Sequence, residues 1–154
     1  MSISVRGNRF SHDLIAKSGE FVVNLVDEAH CKALDFCGVR SGRDVDKWQE
    51  CHLTPMPALN MEYAPAIAEC PAYLACKVVQ QLELGSHTMF VGKIVGVQVR
   101  DDLFAADGSL HLEKAGLVTY THGTYQKAAD VLGFFGYSVA RPEVLKRRMD
   151  ALTK

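Results

Sequence analysis

Residues 73–100 read YLACKVVQQLELGSHTMFVGKIVGVQVR, and this stretch decides the fold. Tyr73 to Leu84 and His87 to Arg100 are rich in β-branched and aromatic residues, and Gly85-Ser86 between them is a turn signal. The pattern predicts one long antiparallel hairpin. Gly92 and Gly96 in its second arm predict bends or bulges, as a closing barrel needs.

Outward from the hairpin, strands continue to dominate. Ser2 to Val5 alternates like a strand, and Phe21 to Val26 (FVVNLV) reads as a buried one. Between them a short helix spans roughly Ser11 to Ser18, with Ser11 as N-cap and Gly19 just past its end. Glu28 to Gly38 reads as a second helix stopped by its glycine. Val39 to Trp48 (VRSGRDVDKW) is polar and without period, a loop whose shape something else must impose. Thr54 to Pro57 is irregular, and Asp107-Gly108 marks a turn. Leu117 to Tyr120 is a short strand leading into THGTY. The tail from Arg141 to Lys154 starts a helix at Pro142, with Val144, Leu145, Met149 and Leu152 on one apolar face. Mainly β, with helices at the periphery, predicts an antiparallel barrel, because closure removes exposed edges.

Composition narrows the function. The chain has 154 residues, the size of one domain, with 48% hydrophobic and 23% charged residues. A formal net charge of -1 implies no basic face and argues against nucleic acid as a partner. No apolar run approaches a membrane span, and no signal-peptide pattern opens the chain, so the expectation is a soluble, cytoplasmic protein without a membrane partner. Five cysteines, none in C-x-x-C, read as reduced thiols used as small hydrophobes.

Three segments carry chemistry. Arg6, Asn8, Arg9 and Ser11 gather guanidinium groups, an amide and a hydroxyl just before a helix, a setting suited to phosphate. The same residues also read as a solvated turn with surface arginines and a capping serine. Asp44 and Asp46 flank Lys47, which can present its ammonium to an electron-rich ligand; a polar surface loop is the alternative. His122 follows a strand end, and Tyr125, Phe134, Phe135 and Tyr137 supply flat aromatic surface, with Gly133 and Gly136 permitting tight turns. A planar ligand edged by a histidine would fit there, as would an aromatic core cluster. No histidine or cysteine set has metal-ligand spacing, so no metal is expected.

Order and wording of the segments together are specific. SISVRGNRFSHDLIAKSGEFVVNL, DFCGVRSGRDVDKW, AECPAYLACKVV, ELGSHTMFVGKIVGV and HGTYQKAADVLGFFGYS closely resemble the flavin reductase-like family, in particular its flavoredoxin-type members, from Ser2 to about Ser138. The resemblance implies an FMN-binding split barrel of Greek-key topology, working as a homodimer, with FMN held noncovalently near the interface. It implies that Arg6, Asn8, Arg9 and Ser11 contact the phosphate and ribityl chain. It places Lys47 near the flavin ring, and His122, Phe135 and, less directly, Tyr125 in matching family segments. No catalytic residue follows from it.

The implied activity is a flow of electrons from NAD(P)H through FMN to an acceptor, which free flavin, a ferric chelate, a monooxygenase or another redox protein could all be. An FMN-binding electron carrier with no nicotinamide site is the first alternative. A barrel that has lost its flavin is the second. Family members carry strands ahead of the S-I-S-V-R segment, including a T-x-A-W-T-like stretch that grips the phosphate. The expectation is therefore a single domain over residues 1–154, incomplete at its N-terminal side relative to the family, with an open edge, at least a dimer, and weaker FMN binding than a longer form.

Overall fold

The computed structural model describes residues 1–128 and 131–152. In chain order the elements are β1 (Ser2–Val5), α1 (Phe10–Ser18), β2 (Glu20–Leu25), α2 (Cys31–Val39), α3 (Lys47–Glu50), β3 (Pro55–Met56), β4 (Ala66–Ile67), β5 (Ala72–Glu83), β6 (Thr88–Val99), β7 (Val118–Thr121), β8 (Thr124–Lys127) and α4 (Pro142–Leu152). The predicted hairpin is β5–β6. Its turn is closed by the His87 carbonyl accepting from Leu84 N–H at 2.8 Å, with Gly85 in the left-handed region at φ 77°.

The main sheet is antiparallel, in the order β1-β6-β5-β2. Among the described residues it does not close on itself; β1 and β2 are its edges. Register slips twice in the hairpin, leaving Val95 and Val79 without partners beside and opposite the glycines. The glycines also serve close packing. A Cβ on Gly92 would lie 2.6 Å from the Phe21 ring, and one on Gly96 2.6 Å from Leu59 Cβ.

Those contacts mark two clusters. Phe21, Cys76 and Phe90 pack with Ile3, Val5 and Ile15, so α1 covers this side. Tyr73 and Ala75 pack with Ala58, Ala66, Met56 and Met61. This second side is fastened by polar groups. Tyr73 Oη accepts from Leu59 N–H at 3.1 Å and donates to Gln98 Oε1 at 2.9 Å. Glu20, 6% exposed, accepts from the N–H groups of Glu62, Tyr63 and Ala64, with Tyr63 at 2.8 Å. Burial pushes its carboxyl upward, yet the three N–H groups and Lys77 together hold it below its ordinary value.

Several boundaries differ from expectation. Arg9, not Ser11, takes the N-cap position of α1: a turn closed by Arg9 N–H on the Arg6 carbonyl at 3.0 Å starts the helix one residue early and leaves Ser11 in its first turn. Gly38 does not stop α2; the helix runs through it and ends where Arg40 turns extended. The polar stretch after α2 ends in α3, where the Asp46 carboxylate accepts from Trp48 and Gln49 N–H. Thr54–Pro57 contributes β3, which pairs with β4. Leu117–Tyr120 is half of a second hairpin, β7–β8, joined to the main body by Val118 N–H donating to the Val26 carbonyl at 3.0 Å. α4 begins at Pro142 as predicted, and Thr153 and Lys154 lie outside the described residues. No helix among the described residues is long and apolar enough to cross a membrane.

Candidate functional site

A cleft of about 1010 Å³ opens against β1. Ile3 and Val5 supply its floor, and α1 supplies one wall with Phe10, Ser11, Leu14 and Ile15. The end of α2 and the following stretch, Cys37 to Trp48, make the other wall. Asn8 and Arg9 stand at the entrance to α1, where the first backbone N–H groups of a helix point outward.

The second wall is held by polar contacts. Lys47 Nζ donates to the Cys37 carbonyl at 2.6 Å, tying α3 to the end of α2. Arg43 donates to the Asn8 carbonyl at 3.3 Å and pairs with Asp13 at 2.5 Å, reaching across to α1. Its guanidinium also lies 4.9 Å from the centre of the Phe10 ring. Gly42 faces that ring closely, since a Cβ there would approach it to 3.2 Å. Arg9, Arg40, Arg43 and Lys47 outnumber Asp44 and Asp46 along the lining, and Asp46 is already engaged as a helix cap. The cleft therefore presents an excess of positive charge above an apolar floor. This combination suits a ligand with an anionic end and a flat apolar body.

The candidate residues divide into two groups. Asn8, Arg9, Ser11 and Lys47 line the one cleft, though thirty-odd positions separate the first three from the last. Arg6 precedes them at the turn and is not among the lining residues. His122, Tyr125 and Phe135 are elsewhere on the chain. His122 occupies the tip of β7–β8 in a left-handed conformation, φ 46°, followed by Gly123 at φ 90°. This is the two-residue geometry that suits the strand twist of a hairpin. Tyr125 Oη donates to Asp35 at 3.2 Å and so leans β8 on α2. Phe135 is wholly exposed and borders a second, apolar cavity of about 940 Å³ with Leu132, Phe134, Tyr137 and Leu152. Ala129 and Asp130, inside the H-G-T-Y to G-Y-S motif, lie outside the described residues.

Sequence reasoning passed over Arg40, Ser41 and Arg43. Their signal was the loop VRSGRDVDKW itself, whose polar character without period marks a segment positioned by long-range contacts. The expected neighbours of Lys47, Asp44 and Asp46, do not define its position; the Cys37 carbonyl does.

Residues 1–129 match the family model described as "Flavin reductase like domain". The chain belongs to this family. An uncharacterised protein of Archaeoglobus fulgidus is 35% identical over 97 residues, covering 63% of this chain and 54% of that protein. The reductase component of the 4-nitrophenol 4-monooxygenase/4-nitrocatechol 2-monooxygenase of Rhodococcus opacus is 30% identical over 88 residues, 57% of this chain and 43% of that protein. Among solved structures, the flavoredoxin of Desulfovibrio vulgaris (Miyazaki F) superposes with a TM-score of 0.81 at 26% identity, covering 90% of this chain and 76% of that one. The fold is accordingly the mainly antiparallel split barrel of flavin reductases. The chain spans between 51% and 59% of the length of the first curated relatives it matches.

Proposed function

We propose that this family member is a flavoprotein with a redox function, holding FMN in the cleft between α1 and the wall 37–48 and passing electrons from NAD(P)H through it to an acceptor. The observation that carries the reading is the meeting of Asn8, Arg9 and Ser11 with Lys47 across one cleft, in a chain that matches the flavin reductase-like family.

The donor set fits the cofactor. FMN joins a phosphate to a flat apolar ring whose reduced form is negative at its pyrimidine end, and when bound it supplies the hydride and electron chemistry. Arg9, Ser11 and Asn8 offer donors for the phosphate and ribityl chain, and the N-terminus of α1 adds its dipole. Ile3, Val5 and Ile15 offer an apolar surface and exclude water. Lys47 keeps a positive charge beside the space left for the ring, which favours a reduced, anionic ligand. Arg6 is proposed to assist at the phosphate from the preceding turn. His122, Tyr125 and Phe135 do not line the cleft of one chain, and a homodimer is the proposed means of bringing them to a flavin. The exposed apolar side chains of Leu132, Phe135 and Val139 support such burial.

A second reading, an electron carrier without a nicotinamide site, is favoured by the likeness to flavoredoxin. One titration separates the readings. FMN is added to purified protein, the absorbance spectrum is followed, and NADH, NADPH and dithionite are then supplied in turn without oxygen. Rapid bleaching by a nicotinamide supports the reductase. Bleaching by dithionite alone supports the carrier. Failure to bind FMN sinks both and leaves a barrel without its flavin.

A further inference from the structure

One side chain spans the cleft from wall to wall. Arg43 belongs to the second wall, yet its guanidinium reaches the first: Nη1 donates to the Asn8 carbonyl at 3.3 Å, and Nη2 to Asp13 Oδ2 at 2.5 Å. The group also lies over the Phe10 ring, 4.9 Å from its centre. Asn8, Phe10 and Arg43 all line the cleft, so the guanidinium stands where a ligand would enter between them. Lys47, by contrast, directs its ammonium to the Cys37 carbonyl within its own wall. The partners of Arg43 are of two kinds. The Asn8 carbonyl and the Phe10 ring hold the guanidinium and leave its charge in place. Asp13, in the first turn of α1, is an anion and cancels that charge.

We propose that Arg43 is the residue by which the cleft selects a phosphomonoester, and that Asp13 is its internal competitor, displaced from the guanidinium when such a ligand enters. The inference rests on the flavin reading above for the identity of the ligand, whose anionic end is the phosphate of FMN. The properties of the pair favour exchange. Both side chains remain largely in solvent, so the contact is weakly held, and the released carboxylate regains its water. A guanidinium offers N–H donors in a planar fork that matches two phosphate oxygens at once, and a phosphomonoester near neutral pH carries more negative charge than a carboxylate. Carboxylate and phosphate cannot share this one cation without bringing two anions together, which each disfavours. The Asn8 carbonyl and the Phe10 ring can keep their contacts throughout, so Arg43 need not be ordered afresh for the ligand.

The test is a cycle of variants read with two ligands. Affinities for FMN and riboflavin are measured by fluorescence quenching at physiological ionic strength for wild type, Arg43→Gln, Asp13→Asn and the double variant. Arg43→Gln should weaken FMN binding about ten- to a hundredfold and leave riboflavin unchanged. Asp13→Asn should tighten FMN binding about two- to fivefold, and that gain should vanish when residue 43 is Gln. A gain of equal size in both backgrounds would make Asp13 a general negative charge, and a loss would make it a support of Arg43. Either result overturns the proposal, as does an equal loss of both flavins with Arg43→Gln. A second measurement needs neither a variant nor a flavin. Inorganic phosphate is titrated into isotope-labelled wild-type protein, and the Arg43 Nε–H and Asp13 carboxyl-carbon resonances are followed by NMR. Both should move together. If they do so while FMN fails to bind, the flavin reading falls and the exchange stands. If neither moves, the exchange is wrong, whether or not FMN binds.

Discussion

In the hairpin β5–β6, Ala75, Cys76 and Phe90 are sealed from solvent, whereas in the cleft wall 37–48 not one residue is buried. The hairpin is fixed by a ladder to β1 and β2 and by packing on both faces. The wall is fixed by single polar contacts: Lys47 to the Cys37 carbonyl, Asp46 capping α3, and Arg43 reaching α1. The difference teaches a division of labour. Side chains committed to a core cannot also receive a ligand, and those of the wall are held by contacts weak enough to rearrange around one.

The strongest attempt to break that contrast concerns Glu20, where a polar group does the work of a core residue. Its carboxylate is the acceptor for three backbone N–H groups of the 62–64 turn. Glu20→Ala leaves those donors without a partner in a closed space, at an expected cost of about 3–5 kcal/mol in urea unfolding. The pH dependence has a definite sign. Because the folded carboxyl titrates below its ordinary value, the clamp contributes fully above the usual carboxylate range and is lost as the pH falls through the lowered value. Wild type should therefore lose stability on acidification more steeply than Glu20→Gln. Equal acid limbs for the two would show that the sheet, like the wall, tolerates loss of a polar tie.

The next test asks whether the wall and α1 entrance are spared for ligand. Arg9→Ala should weaken FMN binding about ten- to a hundredfold, the loss of one charge-assisted hydrogen bond. Riboflavin, which lacks the phosphate, should bind as before, and the unfolding midpoint should stay put. Equal losses for both ligands, measured by fluorescence quenching, would move Arg9 from the site to the scaffold.

The same division explains what could be read from the sequence. β5 and β6 were legible because β-branched and aromatic residues fill both arms and Gly85-Ser86 separates them, a local signal that the pairing of the two strands bears out. Gly19 was legible for a local reason, its left-handed conformation at the end of α1. Gly38 misled because glycine is permitted, but not required, where a helix continues. β8 was missed behind the turn at His122, a non-glycine residue in a left-handed position. For the site, motif wording singled out Asn8, Arg9, Ser11 and Lys47, which meet in one cleft. Arg43 escaped because its role depends on Asn8 and Asp13, 35 and 30 residues away, and no local pattern encodes such a pairing.

The smallest expected effect is also the one that most sharpens the contrast. Arg43 joins the wall to α1 through Asp13, but the side chains of both remain largely in solvent, 45% and 57% exposed. Water screens such a pair, and ordering two long side chains offsets part of the attraction. A double-mutant cycle with Arg43→Ala, Asp13→Ala and both should give a coupling of about 0.2–1 kcal/mol in thermal unfolding, smaller still at high salt. The local consequence should exceed the global one. Without Arg43 the wall loses its bond to the Asn8 carbonyl and its stacking on Phe10, so proteolysis within 37–48 should accelerate while the sheet stays protected. If Arg43→Ala instead lowered global stability as much as Glu20→Ala, the wall would have to be counted with the core, and its exposed side chains would no longer be free to serve a ligand.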